Sequence, residues 1–184
     1  MDDSKNQTGN ARLLNMPGRR DQMLRTMLLC ALTAAIFFLP FYIIDGGFFH
    51  YAGDFNSQQI SFYRYMNGFI KGAGYPDGMA DAARSTFSWA TDLGSGFVNS
   101  YSFYLLGSPF FWLSMVVPAR LMPWAMVPLL CLKMAVAGGG GYLWAHRWVR
   151  DEIWSMLAGC LYAFSGFSIY NIFFNHFLLS LIHI

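Results

Sequence analysis

The stretch Met27–Ile44, MLLCALTAAIFFLPFYII, decides the fold class of this chain. It carries no charged side chain, and its length approaches the roughly 20 apolar residues that an α-helix needs to cross a bilayer. A helix is required there because lipid offers no partners to backbone N–H and C=O groups. A cleaved signal peptide has a shorter apolar core of about 7 to 15 residues that ends in small residues. This run ends in large side chains, Phe41-Tyr-Ile-Ile44, and so predicts an uncleaved membrane helix.

The composition extends this prediction to the whole chain. Of its 184 residues, 55% are hydrophobic and only 12% are charged, which is more apolar surface than a soluble domain of this size can bury. Further windows of near-spanning length cover residues 98–117, 124–145 and 153–174. We therefore predict an all-α polytopic membrane protein with about four transmembrane helices, the first over 27–44. The window 98–117 contains enough Asn, Ser and Pro to be re-entrant instead.

Charge predicts the orientation and excludes other classes of protein. Residues 1–26 form a basic tail with Lys5 and several arginines, which places the N-terminus in the cytoplasm by the positive-inside rule. The loop 45–97 then lies outside. On four spans Arg120 falls inside and supports this orientation, whereas Arg147 and Arg150 fall outside and oppose it mildly. A net charge of +2, widely dispersed, predicts no nucleic-acid surface. The three cysteines all lie in predicted spans and indicate neither a disulfide framework nor a zinc site.

The external loop 45–97 is too long for a simple connector and is therefore expected to carry function. Within it, Asn56 and Gln59 have the spacing of a capping box at a helix N-terminus. Apolar residues then recur at three- to four-residue intervals as far as Ile70. This pattern predicts an amphipathic helix that ends near Lys71 and lies along the membrane surface.

Two acidic residues of this loop are candidates for chemistry. Asp54 precedes the predicted helix, whose N-terminus favours an ionised carboxylate that could bind a metal or accept the proton of a sugar hydroxyl. The alternative is an Asp that only satisfies backbone N–H groups at the helix start. Asp92 lies in Thr-Asp-Leu-Gly-Ser-Gly, where glycines let the backbone approach a ligand. Asp54 and Asp92 could share a divalent cation such as Mg²⁺ or Mn²⁺ that neutralises a phosphate leaving group.

Lys133 is the one charge inside the window 124–145. An ammonium near the bilayer centre costs at least about 2.5 to 3.5 kcal/mol, so it must face protein, water or an anion. A structural ion pair and a role beside a lipid phosphate or a cavity both remain open. The run Gly138–Gly141 that follows lacks the setting of a phosphate-binding loop, and so indicates close helix packing or a local break.

The order of these features resembles the N-terminal part of the YfhO family of bacterial membrane proteins, from about Leu24 to Leu179. The segments that carry the resemblance are Gly53-Asp54 with Gln58 and Gln59, Trp89-Ala-Thr-Asp-Leu-Gly94, Tyr101-Ser-Phe-Tyr-Leu-Leu-Gly-Ser-Pro-Phe-Phe111, Leu132-Lys-Met-Ala-Val-Ala-Gly138 and Leu161-Tyr-Ala-Phe-Ser-Gly-Phe167.

The resemblance implies a GT-C-like glycosyltransferase that moves a sugar from a polyprenyl-phosphate lipid to an envelope acceptor such as teichoic acid. It implies that Asp54 is the catalytic or metal-binding residue, and that Gln58, Gln59 and Lys133 contact the substrate. Such enzymes have more spans, so the chain is expected to be an N-terminal fragment, inactive alone, with residues 180–184 a truncated or artefactual end. A transporter component, indicated by Lys133 beside a Gly-rich break, and a non-enzymatic envelope scaffold remain the alternatives.

Overall fold

The structure is a computed structural model that describes residues 18–50, 53–71, 87–88 and 94–172, and helices dominate these ranges. The α-helices are α1 (Arg19–Ile44), α2 (Ser61–Lys71), α3 (Phe97–Tyr101), α4 (Pro109–Ser114), α5 (Met122–Ala145), α6 (Glu152–Ala163) and α7 (Gly166–Tyr170). Shorter elements are π-helical segments over Phe55–Ile60 and Ser102–Leu106, a 3-10 turn over Ala119–Leu121, and a two-residue antiparallel pair of strands, β1 (Phe87–Ser88) and β2 (Ser95–Gly96).

Three helical segments of the described ranges are long and apolar enough to cross a membrane: Arg19–Ile44, Ala119–Ala145 and Glu152–Tyr170. The outer surface of α1 exposes large apolar side chains such as Leu28, Ile36 and Ile43. A contiguous apolar surface of this kind is suited to lipid rather than to water. The prediction of an all-α membrane protein is therefore confirmed.

The three long helices pack side by side because glycines let their backbones approach. A Cβ placed on Gly138 of α5 would lie 2.4 Å from the Cys30 sulfur of α1, and one on Gly159 of α6 would lie 2.5 Å from the Gly138 carbonyl oxygen. Small residues serve this purpose wherever membrane helices pack closely. Helix α5 runs without interruption through Gly138–Gly141, so the glycines provide packing and not the local break that we had considered.

Contacts at both ends of the bundle show which way each helix runs. Just beyond the end of α1, the Phe48 ring lies 4.5 Å from the Trp124 ring at the start of α5, so these two helices are antiparallel. At the opposite end, Gln22 of α1 donates to Glu152 of α6 over 2.8 Å. Further along the same pair, the sulfurs of Cys30 and Cys160 are 3.8 Å apart, so α1 and α6 are parallel.

This arrangement differs from the predicted path of residues 98–117. Because α1 ends where α5 begins, the intervening chain leaves and returns at the same end of the bundle. The segment is broken into α3, a π-helical segment and α4, with Ser108 in an extended conformation and Pro109 starting a new helix. A proline lacks an N–H and is best accommodated in the first turn of a helix, where Pro109 stands. The described chain thus has three spans, and the re-entrant alternative for 98–117 fits better than a fourth span.

The new path also moves the arginines that opposed our orientation. The turn after α5 lies at the N-terminal end of α1, since Glu152 contacts Gln22 there. Arg147 and Arg150 therefore lie at the same end as Arg19 and Arg25. Arg120, just before the start of α5, lies at the opposite end, and the cytoplasmic position of the N-terminus stays a prediction of the positive-inside rule.

At the other end of the bundle, α2 forms a layer with α3 and α4. Its buried face includes Tyr63, Asn67 and Phe69. Phe69 stacks on Phe97 of α3 with 4.0 Å between ring centres, and Tyr63 contacts Phe111 of α4 at 5.7 Å. The helix predicted over 56–71 is confirmed by the π-helical segment and α2, and it brings the external loop back onto the bundle.

Candidate functional site

Asp54 stands at a sharp turn where the chain begins its next helical segment. Gly53 before it has a left-handed backbone conformation with φ of 60°, which glycine adopts at little cost. Phe55 after it is fully buried and contacts Phe49 with 5.3 Å between ring centres. The aromatic contact anchors the turn and leaves the Asp54 carboxylate half-buried near the end of α1.

The Asp54 carboxylate makes no hydrogen bond to the backbone at the helix start. It accepts instead from Gln58 Nε2 over 3.1 Å. The alternative role of Asp54 as a simple backbone cap therefore finds no support in the described residues. The predicted capping box is wrong as well, because the helical segment begins at Asp54, two residues before Asn56, and the Gly53 carbonyl accepts from the Ser57 N–H.

The two neighbouring glutamines lie on different faces of this segment. Gln58 is half-exposed and holds Asp54, whereas Gln59 is fully buried in the core. The structure thus brings Gln58 together with Asp54 and directs Gln59 inward. Asp92, the second predicted metal ligand, lies outside the described residues.

Lys133 lies deep in α5 and is 3% exposed. Its position nine residues after Trp124 corresponds to about 13 Å along the helix axis, near the middle of a membrane. The ammonium lies 5.6 Å from the centre of the Phe110 ring, a distance at which a cation is attracted to the π face. Phe110 belongs to α4, so the broken segment 98–117 reaches down to the level of Lys133.

The inner face of α2 presents buried polar groups to α4. Asn67 Nδ2 donates to the Ser114 carbonyl (3.4 Å) and to the Val117 carbonyl (3.1 Å). Lys71 Nζ donates to the same Val117 oxygen over 2.7 Å. Tyr63, one turn before Asn67, is fully buried, and burial raises the pKa of its hydroxyl. Tyr63 therefore stays protonated at physiological pH, while Asn67 and Lys71 cap the end of α4.

An acid–base pair that the sequence interpretation missed lies just after α1. Asp45 Oδ2 accepts from the His50 backbone N–H over 3.1 Å and lies 3.2 Å from His50 Nδ1. Gly46 and Gly47, both left-handed with φ of 64° and 95°, fold the chain so that these two residues meet. Neither Asp45 nor His50 was among the residues singled out from the sequence. The one signal in the sequence is the Asp-Gly-Gly turn before a histidine.

The family described as "Bacterial membrane protein YfhO" matches residues 26–184. This range includes every described span except the first turns of α1. The chain belongs to the YfhO family. No curated protein and no solved structure matches it.

YfhO membership confirms the resemblance on which the site residues were chosen, and the family is GT-C-like. In this YfhO protein, Asp54 and Gln58 form one small unit at the end of the bundle where α1 exits. Lys133 forms a second, deeper unit with Phe110. Among the residues that the structure describes, no group of three His, Cys, Asp or Glu side chains is arranged to hold a metal ion. The shared site of Asp54 and Asp92 stays a prediction.

Proposed function

We propose that this YfhO protein takes part in moving a sugar from a polyprenyl-phosphate donor to a cell-envelope acceptor, such as teichoic acid, on the extracytoplasmic side of the bacterial membrane. Its family membership supports a membrane glycosyltransferase-like role. The observation that carries the proposal for this chain is the placement of Asp54 at the end of the bundle opposite Arg19, Arg147 and Arg150.

That placement follows from the direction of the three spans. Arg19, Arg147 and Arg150 lie at one end, and clusters of this kind remain in the cytoplasm. Asp54 follows the exit of α1 at the other end, near Phe49 and Trp124. A carboxylate there would meet a lipid-linked sugar at the outer membrane surface.

The chemistry assigns a separate task to each unit. The acceptor hydroxyl attacks the anomeric carbon, and the bond from that carbon to the donor phosphate breaks. Asp54, whose orientation is fixed by Gln58, assists the acceptor hydroxyl and would be one ligand of a divalent cation if Asp92 supplies another. Lys133, with its positive charge within the apolar layer, would lie toward the lipid phosphate. Gln58 would contact the sugar from the exposed face, and Gln59, predicted with it, would act through packing.

The experiment replaces Asp54 with Asn in the full-length protein expressed from its chromosomal gene. Asp54→Asn keeps the size of the side chain and its ability to accept from Gln58, but removes the charge. We expect incorporation of labelled sugar into envelope polymer to fall at least 100-fold, the usual contribution of a group that assists proton transfer.

A matched control is Asp21→Asn, an exposed carboxylate in the first turn of α1 at the cytoplasmic end. This variant should incorporate sugar at the wild-type rate. Wild-type incorporation by Asp54→Asn, at equal amounts of protein in the membrane, would contradict the role of Asp54.

The transporter alternative depended on a helix interrupted beside Lys133. Since α5 is continuous through Gly138–Gly141, that observation no longer favours it. Flux of a substrate into vesicles without sugar transfer would still support a transporter. An envelope scaffold predicts that replacing Asp54 and Asp92 together leaves function intact.

A further inference from the structure

The pair Asp45–His50 is a second acid–base unit at the Asp54 end of the bundle, and its geometry specifies the state of the imidazole. Nδ1 faces the carboxylate oxygen of Asp45 at 3.2 Å, so this nitrogen carries a hydrogen. Nε2, on the other edge of the ring, is then left with a lone pair in the neutral form. The His50 side chain is 57% exposed, so Nε2 can be reached by another molecule.

Three contacts hold this pair in place. A Cβ on Gly47 would come within 3.1 Å of the Trp124 ring, so the loop lies directly against the start of α5. Phe48 stacks over the same ring with 4.5 Å between centres, and the His50 ring lies 5.7 Å from Phe48. The Phe48 ring on one side and the Asp45 carboxylate on the other therefore hold the imidazole in position.

The pair is also attached to the turn that carries Asp54. Phe49, next to His50, contacts Phe55, next to Asp54, at 5.3 Å between ring centres. Both phenylalanines belong to the buried core. This aromatic contact joins the chain beside His50 to the chain beside Asp54, four positions later in the sequence.

We propose that His50 is the base that receives the proton of the acceptor hydroxyl, with Asp45 as its positioning residue. This inference rests on the proposed sugar transfer. As the acceptor oxygen bonds to the anomeric carbon, its proton passes to Nε2 of His50. The bond between that carbon and the phosphate oxygen breaks, and its electron pair leaves with the polyprenyl phosphate. Asp54 then orients the hydroxyl and does not itself take the proton.

General chemistry favours an imidazole for this step. A general base is most effective when its protonation changes near the operating pH, and imidazole groups change charge between about pH 5 and 8. A nearby carboxylate stabilises the imidazolium that forms. Asp45 is placed to do this through Nδ1 while Nε2 works on the substrate.

Several groups that titrate lie close to His50 in the chain. Among the described residues these are Asp45 and Tyr42 at the end of α1, and Asp54 at the start of the next segment. The residue of α5 that packs against the loop is Trp124, which does not titrate. A change in rate on the acid side of neutrality can therefore be assigned by replacing these few residues.

The experiment measures sugar transfer between pH 5 and 8 in membranes that contain the full-length protein. The wild-type rate should fall toward acid pH, as is general for a reaction that uses an imidazole base. His50→Gln should lower the rate about 100-fold or more and abolish this acid limb. Added imidazole should restore transfer to His50→Ala, a result that a merely structural histidine does not give.

Asp45→Asn separates positioning from base chemistry. Without the carboxylate the imidazole loses the contact to Nδ1 that orients it, so the rate should fall by less than in His50→Gln, and added imidazole should not restore it. Asp54→Asn should lower the rate at every pH and leave the limb in place. His146→Gln, a histidine at the cytoplasmic end that contacts Ser155, is the matched control and should keep the wild-type profile.

Two results would overturn the inference: a His50→Gln rate that still falls toward acid pH, or a His50→Ala protein that is present at wild-type levels and is not rescued by imidazole. Asp45 and His50 would then only stabilise the turn. A wild-type protein that transfers no sugar at any pH would instead contradict the proposed function, and the inference with it.

Discussion

Asn67 shows how one buried side chain connects the external layer to the membrane bundle. It is fully buried in α2 and donates to carbonyls that end α4. The Ser114 carbonyl, at the last residue of α4, also accepts from the Val117 N–H, and the Val117 carbonyl lies just beyond the helix. The sequence placed Asn67 only on the apolar stripe of an amphipathic helix, since its partners lie some 50 residues away.

We expect Asn67→Ala to destabilise the protein by about 0.5 to 1.5 kcal/mol, because the variant loses the hydrogen bonds from Nδ2 while the Ser114 carbonyl keeps the one from the Val117 N–H. The Val117 carbonyl keeps its bond from Lys71. Thermal unfolding of the purified protein in detergent measures the loss. Asn99→Ala, at an exposed position in α3, should unfold at the wild-type temperature. Equal unfolding temperatures for both variants would show that Asn67 does not hold α4.

The candidate site was only partly predictable at this scale. Asp54 follows the first span at a turn and could be singled out from its position. Its hydrogen bond from Gln58 could not, because the predicted helix start at Asn56 was two residues late. The pairing of Asp45 with His50 depends on two left-handed glycines, and a glycine pair does not by itself specify where a turn leads.

The long helices were the most predictable elements. The windows 27–44, 124–145 and 153–174 agree closely with α1, α5 and α6 with α7, because apolar length is a strong signal for a membrane helix. The window 98–117 was predicted as a span, with a re-entrant segment as the alternative. Its average hydrophobicity does not reveal that the helix is broken at Ser108 and Pro109. The direction of α5 depends on that break and could not be derived from apolar windows alone.

Helix packing in the bundle leads to a prediction that contrasts two glycines. A Cβ on Gly159 would meet the Gly138 carbonyl oxygen at 2.5 Å and the Tyr142 backbone nitrogen at 3.0 Å, whereas a Cβ on Gly140 would meet nothing within 4 Å. We expect Gly159→Ala to destabilise the protein by roughly 1 to 3 kcal/mol through overpacking. Gly140→Ala should be neutral or stabilising, since alanine favours a helix over glycine by up to about 1 kcal/mol.

Unfolding temperatures and the fraction that elutes as a single species from a sizing column report this difference. Tolerance of Gly159→Ala equal to that of Gly140→Ala would show that α5 and α6 are further apart than the structure places them.

Across the whole molecule, the two ends of the bundle differ in charge and in aromatic residues as a membrane protein requires. Exposed tryptophans mark both ends, with Trp124 at one end and Trp144, Trp148 and Trp154 at the other. Tryptophan side chains are enriched at membrane–water interfaces. The second group lies with Arg147 and Arg150, so the basic end also has its own aromatic belt.

The central claim is that α1 leaves the membrane on the extracytoplasmic side, with Asp54 at the membrane surface and Arg120 at the same end of the bundle. The most direct test is labelling of single substitutions Asp54→Cys, Arg120→Cys and Arg147→Cys with a membrane-impermeant maleimide. The native cysteines lie within membrane helices and should label poorly. We expect labelling at positions 54 and 120 in intact cells, and at 147 only after the membrane is opened. Labelling of position 54 only after opening would contradict the account.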